Sequence, residues 1–579
     1  MIYLETRSVS DNEYDQDLFG ANILANRDQL GEDGTYDEAA DALGVTHIRY
    51  PGGSLTEDFF DISDPDKTVA VDPDTGKEVE LLPYSEFMEY AEANDIDVTI
   101  VLPTRNFLSE ETDADGHRYA DIDEDALRGF IQDTLNGEYG EPTIRAFEIG
   151  NEYWGSGEMD TLEYGRVASR MAEILNDEID SHPEADTAFS DIDILVQNGQ
   201  NYGADRLSDD YGDLQSGADQ IAAINEDYGL DLDDSYIMNS GEVSWARVAN
   251  EIIISEFDTE AERDAVDGIA LHVYSKGADK PNSREYDLNT VEDTWHDELG
   301  ELDTYITEWN LKASRSSWDP AQEYGLKQAH EILNMSEVFV EHEVDTAHIW
   351  AIQQNNLTNL AGNEGGDGQL TVPGEMFRMM NESLVGTSPI DFVSDDSREH
   401  EATDDGASVH GFYSDDRLVL FIASNTEETQ DAVVDLSQIV DGVGSMHIDV
   451  LGVEDGNNPT SPEAIAEVTA LDAGQAYEDG ILTAEMDGYE IVRVVIDNPQ
   501  YTDEFKNIVL PEDGSDDDGE IVIDPDDIPD TSGEEHVVED DEPEEADGMA
   551  AAGDSDGGAS GGIGMALAIL PFLALLGGF

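Results

Sequence analysis

Ile144-Arg145-Ala146-Phe147-Glu148-Ile149-Gly150-Asn151-Glu152 is the stretch on which the reading of the fold turns. Its first six residues are mostly apolar and too few for a helix, so they read as a short buried strand. Gly150 ends the run, and a polar pair, Asn151-Glu152, stands just beyond it. A helical pattern over 123–135 precedes the strand and another over 161–179 follows it. In the second, Leu162, Val167, Met171 and Ile174 form one apolar stripe. A buried strand between two amphipathic helices is the repeating unit of a parallel α/β sheet.

Seven more strand candidates share this texture, at 18–24, 46–50, 97–102, 193–197, 266–274, 304–309 and 346–352. Helical patterns at 36–43, 84–93 and 321–339 lie between some of them, and Gly44 is placed to end the first as a left-handed cap. Eight strand–helix units in roughly 350 residues predict a (β/α)8 barrel. An open doubly wound sheet is the alternative pattern. No Gly-x-Gly-x-x-Gly follows the first strand, so its dinucleotide-binding form lacks support.

After residue 385 the texture changes to short alternating strands, at 408–413, 417–424, 431–435, 445–453 and 489–496, separated by Asp, Gly and Asn turns. These predict an antiparallel β-sandwich. The expected organisation is a strand within 1–12 that joins the sandwich, a barrel over 13–385 and the sandwich over 386–500. An acidic disordered spacer over 501–562 and a hydrophobic tail over 563–579 complete it.

The 137 acidic residues against 25 basic ones leave a formal charge of -112. Residues 501–579 hold 23 of the acidic and one of the basic residues, so the first 500 still carry about -90. Such a chain excludes nucleic acid as a partner, because phosphate binding needs clustered Lys and Arg. Its self-repulsion is relieved by salt, which points to a salt-adapted protein. With no cysteine, disulfides, thiolate nucleophiles and Cys-ligated metals are excluded. Residues 1–16 lack the basic and apolar regions of a secretory signal. The tail is expected to act as a membrane anchor or as a signal to sorting machinery, placing the protein outside the cell or on its surface. The alternative location is the cytoplasm of a salt-adapted cell.

In such barrels the chemistry sits at the C-terminal ends of the strands. Those ends carry Arg49, Asn151 and Glu152, His272 and Tyr274, Glu308 and Trp309, and Trp350 with Gln353 and Gln354. Two carboxylates facing one pocket are the minimum equipment for cleaving a glycosidic bond: one protonates the leaving oxygen, the other attacks the anomeric carbon. Glu152 suits the acid/base and Glu308 the nucleophile. Arg49, Asn151, His272, Tyr274, Trp309 and Trp350 are the candidates for substrate binding, the tryptophans as flat platforms for sugar rings. Asn198 and Gln200 after the fifth strand are weaker candidates. No cofactor is called for, and no paired histidines stand at metal spacing.

Three segments, Ile48-Arg49-Tyr50-Pro51-Gly52-Gly53, Glu148-Ile149-Gly150-Asn151-Glu152 and Glu308-Trp309-Asn310, resemble those of clan A glycoside hydrolases. Within the clan they look like the α-L-arabinofuranosidase-type members, and Phe19-Gly20-Ala21-Asn22 is similar to the first strand of those enzymes. The resemblance implies a retaining hydrolase of an oligo- or polysaccharide, with Glu152 as acid/base, Glu308 as nucleophile, and Arg49, Asn151 and Tyr274 in support. Ser54 stands where those members carry Asn, so no particular sugar is implied. A non-catalytic carbohydrate-binding protein on the same barrel is the rival from another class.

Overall fold

The computed structural model describes residues 1–509 apart from 32–33, 73–74, 186, 205, 314, 316, 354–356, 363–368, 394–400 and 405. Eight parallel strands close into a barrel: Gly20–Asn22, His47–Tyr50, Asp97–Leu102, Ile144–Ile149, Asp193–Gln197, Gly268–Ser275, Asp303–Leu311 and Thr346–Ile349. Each pairs with the strands before and after it in sequence, and the eighth closes on the first through His348↔Gly20 and Ile349↔Ala21. With both faces covered, the strands need no polar alternation, and Asp97–Leu102 is apolar or buried along nearly its whole length.

Local chemistry sets the helix ends. Asp123 accepts from the Ala126 amide at the start of Glu124–Leu135. Asp160 and Glu163 form a reciprocal capping box at the start of Thr161–Ser181. Gly44 adopts φ 74° and ends Tyr36–Leu43, as its position predicts. The first strand is shorter than its apolar run because Asp15 caps a 3₁₀ turn, Gln16–Phe19, that absorbs Leu18 and Phe19.

The register between strands six and seven shifts between Leu271 and His272, and that between seven and eight shifts after Ile306. Such an irregularity re-aims side chains. Thr307 and Glu308, neighbours in sequence, both reach groups at the barrel axis, where Thr307 contacts Glu148 and Glu308 contacts Arg49. Trp309 then faces outward.

The C-terminal region is a sandwich of two sheets. One runs through Thr6–Val9, Ser388–Phe392, Ala407–Tyr413, Arg417–Ser424, Ile491–Asp497, Ser445–Val453 and Ala466–Ala470. The other contains Ile2–Tyr3, Gln430–Asp435 and Ile481–Met486. The N-terminal segment therefore gives one strand to each sheet, and Ile2 and Leu4 enter the core between them. The barrel and the sandwich share contacts, among them the buried Tyr14 against Phe412 at 5.6 Å and buried Arg493 against the exposed Glu382 at 3.0 Å.

The sequence reading starts the acidic spacer at 501, but the chain stays folded to 509. Gln500–Tyr501 pairs with Val440–Gly442, and helix Asp503–Val509 buries Phe505 against Tyr413 and Tyr501. The rest of the expected spacer and the tail over 563–579 lie outside the described residues. Among the described residues no helix is long and apolar enough to cross a membrane.

Candidate active site

Arg49 lies at the centre of the barrel mouth with no solvent exposure. Its Nε and Nη2 donate to the two oxygens of Glu148 at 2.6 and 2.9 Å. Nη1 donates to Asn22 at 3.0 Å and to Glu308 Oε1 at 2.9 Å, and Nη2 also reaches Asn151 Oδ1 at 2.8 Å. From strand two, one guanidinium thus orients groups on strands one, four and seven. Burial works against its charge, but Glu148 and Glu308 outweigh burial and the net shift is upward. Glu148 is Arg49's bidentate partner beneath the site, held further by Thr307 at 3.2 Å.

Glu308 has both oxygens engaged: Oε1 by Arg49, and Oε2 by the Tyr274 hydroxyl at 2.8 Å. Burial pushes this carboxyl above its ordinary range, and neighbouring Glu152 adds to the push. His272, Arg49 and the Tyr274 hydroxyl pull the other way. His272 Nδ1 lies 3.3 Å from Glu152 Oε1 and 3.5 Å from Glu308 Oε2. Burial alone would lower the histidine's pKa; the two carboxylates raise it on balance. His272 and Glu308 therefore titrate as a pair.

Glu152 adopts φ 45°, in the left-handed region that costs a non-glycine residue about 1–2 kcal/mol. The amides of Gly155 and Gly157 hold the turn by donating to its carbonyl at 2.8 and 3.2 Å. One oxygen of Glu152, one of Glu308 and a ring nitrogen of His272 all lie within 4.8 Å of one another. Two carboxylates and an imidazole could in principle hold a divalent cation. Here the buried guanidinium already bonded to Glu308 opposes a second positive charge.

Trp350 is half-buried, next to a cis peptide with Ala351, and its indole lies on Gly53. A Cβ at Gly53 would stand 2.5 Å from that ring, so only glycine fits here. The structure thus gathers Arg49, Asn151, Glu152, His272, Tyr274 and Glu308, with Trp350 on the adjacent loop. It corrects the reading of Trp309. That indole is 1% exposed and packs outward against Phe339 at 5.2 Å and Phe377 at 6.3 Å, between the barrel and its helices. Asn198 is tied into a buried network with Asn250 and Thr290, and Gln200 reaches Asp287. Gln353 donates to Thr35, and Gln354 lies outside the described residues.

Sequence reasoning misses Glu57. This residue, on helix Leu55–Phe59 after the Pro51-Gly52-Gly53 turn, is buried. Its carboxylate accepts from the amides of Thr104 and Arg105, both at 2.8 Å, from the Thr104 hydroxyl at 3.1 Å and from the Asn151 amide at 2.9 Å. Burial raises its pKa and these donors oppose the rise. One carboxylate among 137 acidic residues carries no signal of its own. Only its closeness to the Pro-Gly-Gly turn could have drawn notice.

No protein-family model matches this chain, and no curated protein does. Solved structures do match. The chain is similar to an α-L-arabinofuranosidase from Thermotoga maritima determined as its arabinose complex, with a TM-score of 0.54 and 13% identity. It is also similar to the GH51 α-L-arabinofuranosidase from Thermotoga petrophila, with a TM-score of 0.55 and 13% identity, and to the GH51 arabinofuranosidase from Xanthomonas axonopodis, with 0.53 and 14%. In each case the match covers 86% of this chain and 99% of the other. The fold is shared: a (β/α)8 barrel with a β-sandwich.

Proposed function

We propose that this chain is a retaining glycoside hydrolase acting on an oligo- or polysaccharide, with Glu308 as nucleophile and Glu152 as acid/base. The observation that carries the reading is that Glu152 and Glu308 meet beside His272, with one oxygen of each within 4.8 Å of the other, which fits closely spaced carboxyl groups. Retaining pairs stand about 5–5.5 Å apart and inverting pairs about 6.5–9.5 Å, the wider gap being needed for a water. The solved structures whose fold this chain shares are named as glycosidases, which favours the same class of reaction.

Protonated Glu152 donates its proton to the glycosidic oxygen as the bond to the anomeric carbon breaks. Glu308 attacks that carbon and forms a glycosyl ester. Glu152, now ionised, takes a proton from water, and the hydroxide displaces Glu308, releasing the sugar with its configuration retained. Arg49 keeps Glu308 ionised and aimed, while Tyr274 donates to its other oxygen. Trp350 offers an apolar wall beside the pocket. Asn151, fixed by Arg49, is positioned to meet a sugar hydroxyl next to the reacting carbon.

The test compares wild type, Glu308→Gln and Glu152→Gln on aryl arabinofuranosides, xylosides, glucosides and glucuronides in molar salt. Turnover by wild type, lost in Glu308→Gln and accompanied by retained configuration in the first-formed product, supports the reading. Inverted product, or undiminished turnover by Glu308→Gln, defeats it.

A further inference from the structure

The chain has only seven lysines, and three of them, Lys276, Lys280 and Lys312, stand in the loops directly after strands six and seven. With Arg284, which is buried against Glu331, and Arg315, those loops (276–285 and 312–325) set five basic residues against four acidic ones. The rest of the rim differs. The segment after strand two, 51–83, sets two basic residues against nine acidic, and that after strand three, 103–123, two against six. The least acidic part of the rim therefore follows the strands that carry Tyr274 and Glu308.

The ladder places two of these lysines side by side. Tyr274 pairs with Asn310 and Ser275 with Leu311, and the Lys312 amide then donates to the Ser275 carbonyl at 2.9 Å. Lys276 and Lys312 thus begin where two neighbouring strands stop. Lys276 is two residues beyond the tyrosine that holds Glu308. Like charges on adjacent strand positions repel, and an anion shared by the two would add to what Asp287 already offers Lys276. Lys276 and His272 both act electrostatically on Asp287, which ties the ammonium to the catalytic region. Asp287 is itself engaged by Gln200 at 3.3 Å. Arg315 welds the two loops together: it donates to the Lys276 carbonyl, pairs with Asp279 at 3.3 Å and lies over Trp318 at 5.2 Å. Lys280 and Lys312 make no ion pair among the described residues.

We propose that this basic sector binds an anionic group, a uronate carboxylate or a sulfate ester, on the glycan that the active site cleaves. The proposal rests on the glycosidase reading and adds the class of substrate to it. The overall negative charge does not forbid it. In about 1 M salt the Debye length is roughly 3 Å, so distant repulsion is screened while ion pairs in contact persist.

Binding is measured with full-length Glu308→Gln in 1 M NaCl, using ligand pairs that differ only in charge. The pairs are xylo- and galacturono-oligosaccharides carrying uronic acids against their methyl esters, and sulfated galacto-oligosaccharides against desulfated ones. The expected result is about tenfold tighter binding of the charged member of at least one pair, as one or two contact ion pairs would give. The double substitution Lys276→Gln/Lys312→Gln should collapse that ratio, while Lys67→Gln/Lys77→Gln should preserve it. A uronate or a sulfate preference names the source of the charge. Equal or tighter binding of every neutral member overturns the proposal, as does a preference that survives the double substitution. Failure to bind any charged member by a protein whose wild type cleaves neutral aryl glycosides also overturns it, leaving the glycosidase reading intact. Folded protein that binds and cleaves nothing defeats both.

Discussion

At the scale of single residues, two side chains that share the site do different work. Tyr274 donates to Glu308 and so helps hold it ionised. Removing that donor raises the pKa of a carboxyl that burial already pushes up. The nucleophile must be ionised to attack, so Tyr274→Phe should move the acidic limb of the kcat/KM–pH profile to higher pH and lower activity most below neutrality. An unmoved limb in a folded, active variant would remove Tyr274 from this role. Glu57 acts through the backbone from which Glu152 projects. Glu57→Gln puts an amide donor against backbone donors, which costs about 1–3 kcal/mol where a buried donor loses its partner. Mispositioned acid catalysis matters only when the leaving group needs a proton. The variant should therefore lose about tenfold or more extra kcat/KM, which reports the first step, on a glycoside with an alkyl leaving group than on the dinitrophenyl glycoside. Equal losses on both would reduce Glu57 to general stability.

At the scale of elements, the strand ends opposite the active site carry an acidic ring. Asp193, Asp267, Asp303 and Asp345 lie at or just before the starts of strands five to eight. Burial, then mutual repulsion partly offset by hydrogen bonds, raises Asp193 to about 7 and Asp267 and Asp345 to about 6. A carboxyl raised in the folded state binds its proton more tightly there than in the unfolded chain. Its stabilising contribution is full below about pH 4 and is lost as pH climbs through 6 to 7. Asp193→Asn should raise stability at pH 8, on the order of 1–2 kcal/mol, and change it far less at about pH 4, where the carboxyl is protonated when folded and only half ionised when unfolded. Denaturant unfolding at the two pH values measures this, and an equal effect at both would show that ionisation is not the cause. Elements also mark how far the sequence could be read. The eight barrel strands were legible because strands buried on both faces form continuous apolar runs. The tryptophan next to Glu308 was misread because the register shifts around His272 and Ile306 change which neighbours face the axis, and a ladder irregularity leaves no mark in composition. The sandwich strands Ser388–Phe392, Ala466–Ala470 and Ile481–Met486 were missed; Pro389 hides the first, and the short, exposed Ala466–Ala470 lacks a continuous apolar run.

At the scale of the whole molecule, salt acts in two opposing ways, and the charge count decides between them. Ion pairs such as Arg170 with Glu124 and Arg145 with Asp97 lie at the surface, where each contributes about 0–1 kcal/mol that salt weakens. On that ground alone salt would destabilise the fold. With 137 acidic residues and 25 basic ones, however, pairs can engage only a small part of the negative charge. The remainder repels itself over a Debye length of about 10 Å in 0.1 M salt, falling to about 3 Å at 1 M. Repulsion should dominate, so the thermal midpoint should climb by on the order of ten degrees between 0.1 and 2 M NaCl, with most of the rise below 1 M, where the screening length shortens fastest. Salting-out of apolar surface would also raise the midpoint, but it grows steadily with concentration and is stronger for sulfate than for chloride. Scans in NaCl and Na2SO4 at equal ionic strength separate the two. Coincident curves that flatten above 1 M assign the gain to screening, a steady rise led by sulfate assigns it to the apolar surface, and a midpoint that falls with salt would mean that the ion pairs outweigh the repulsion.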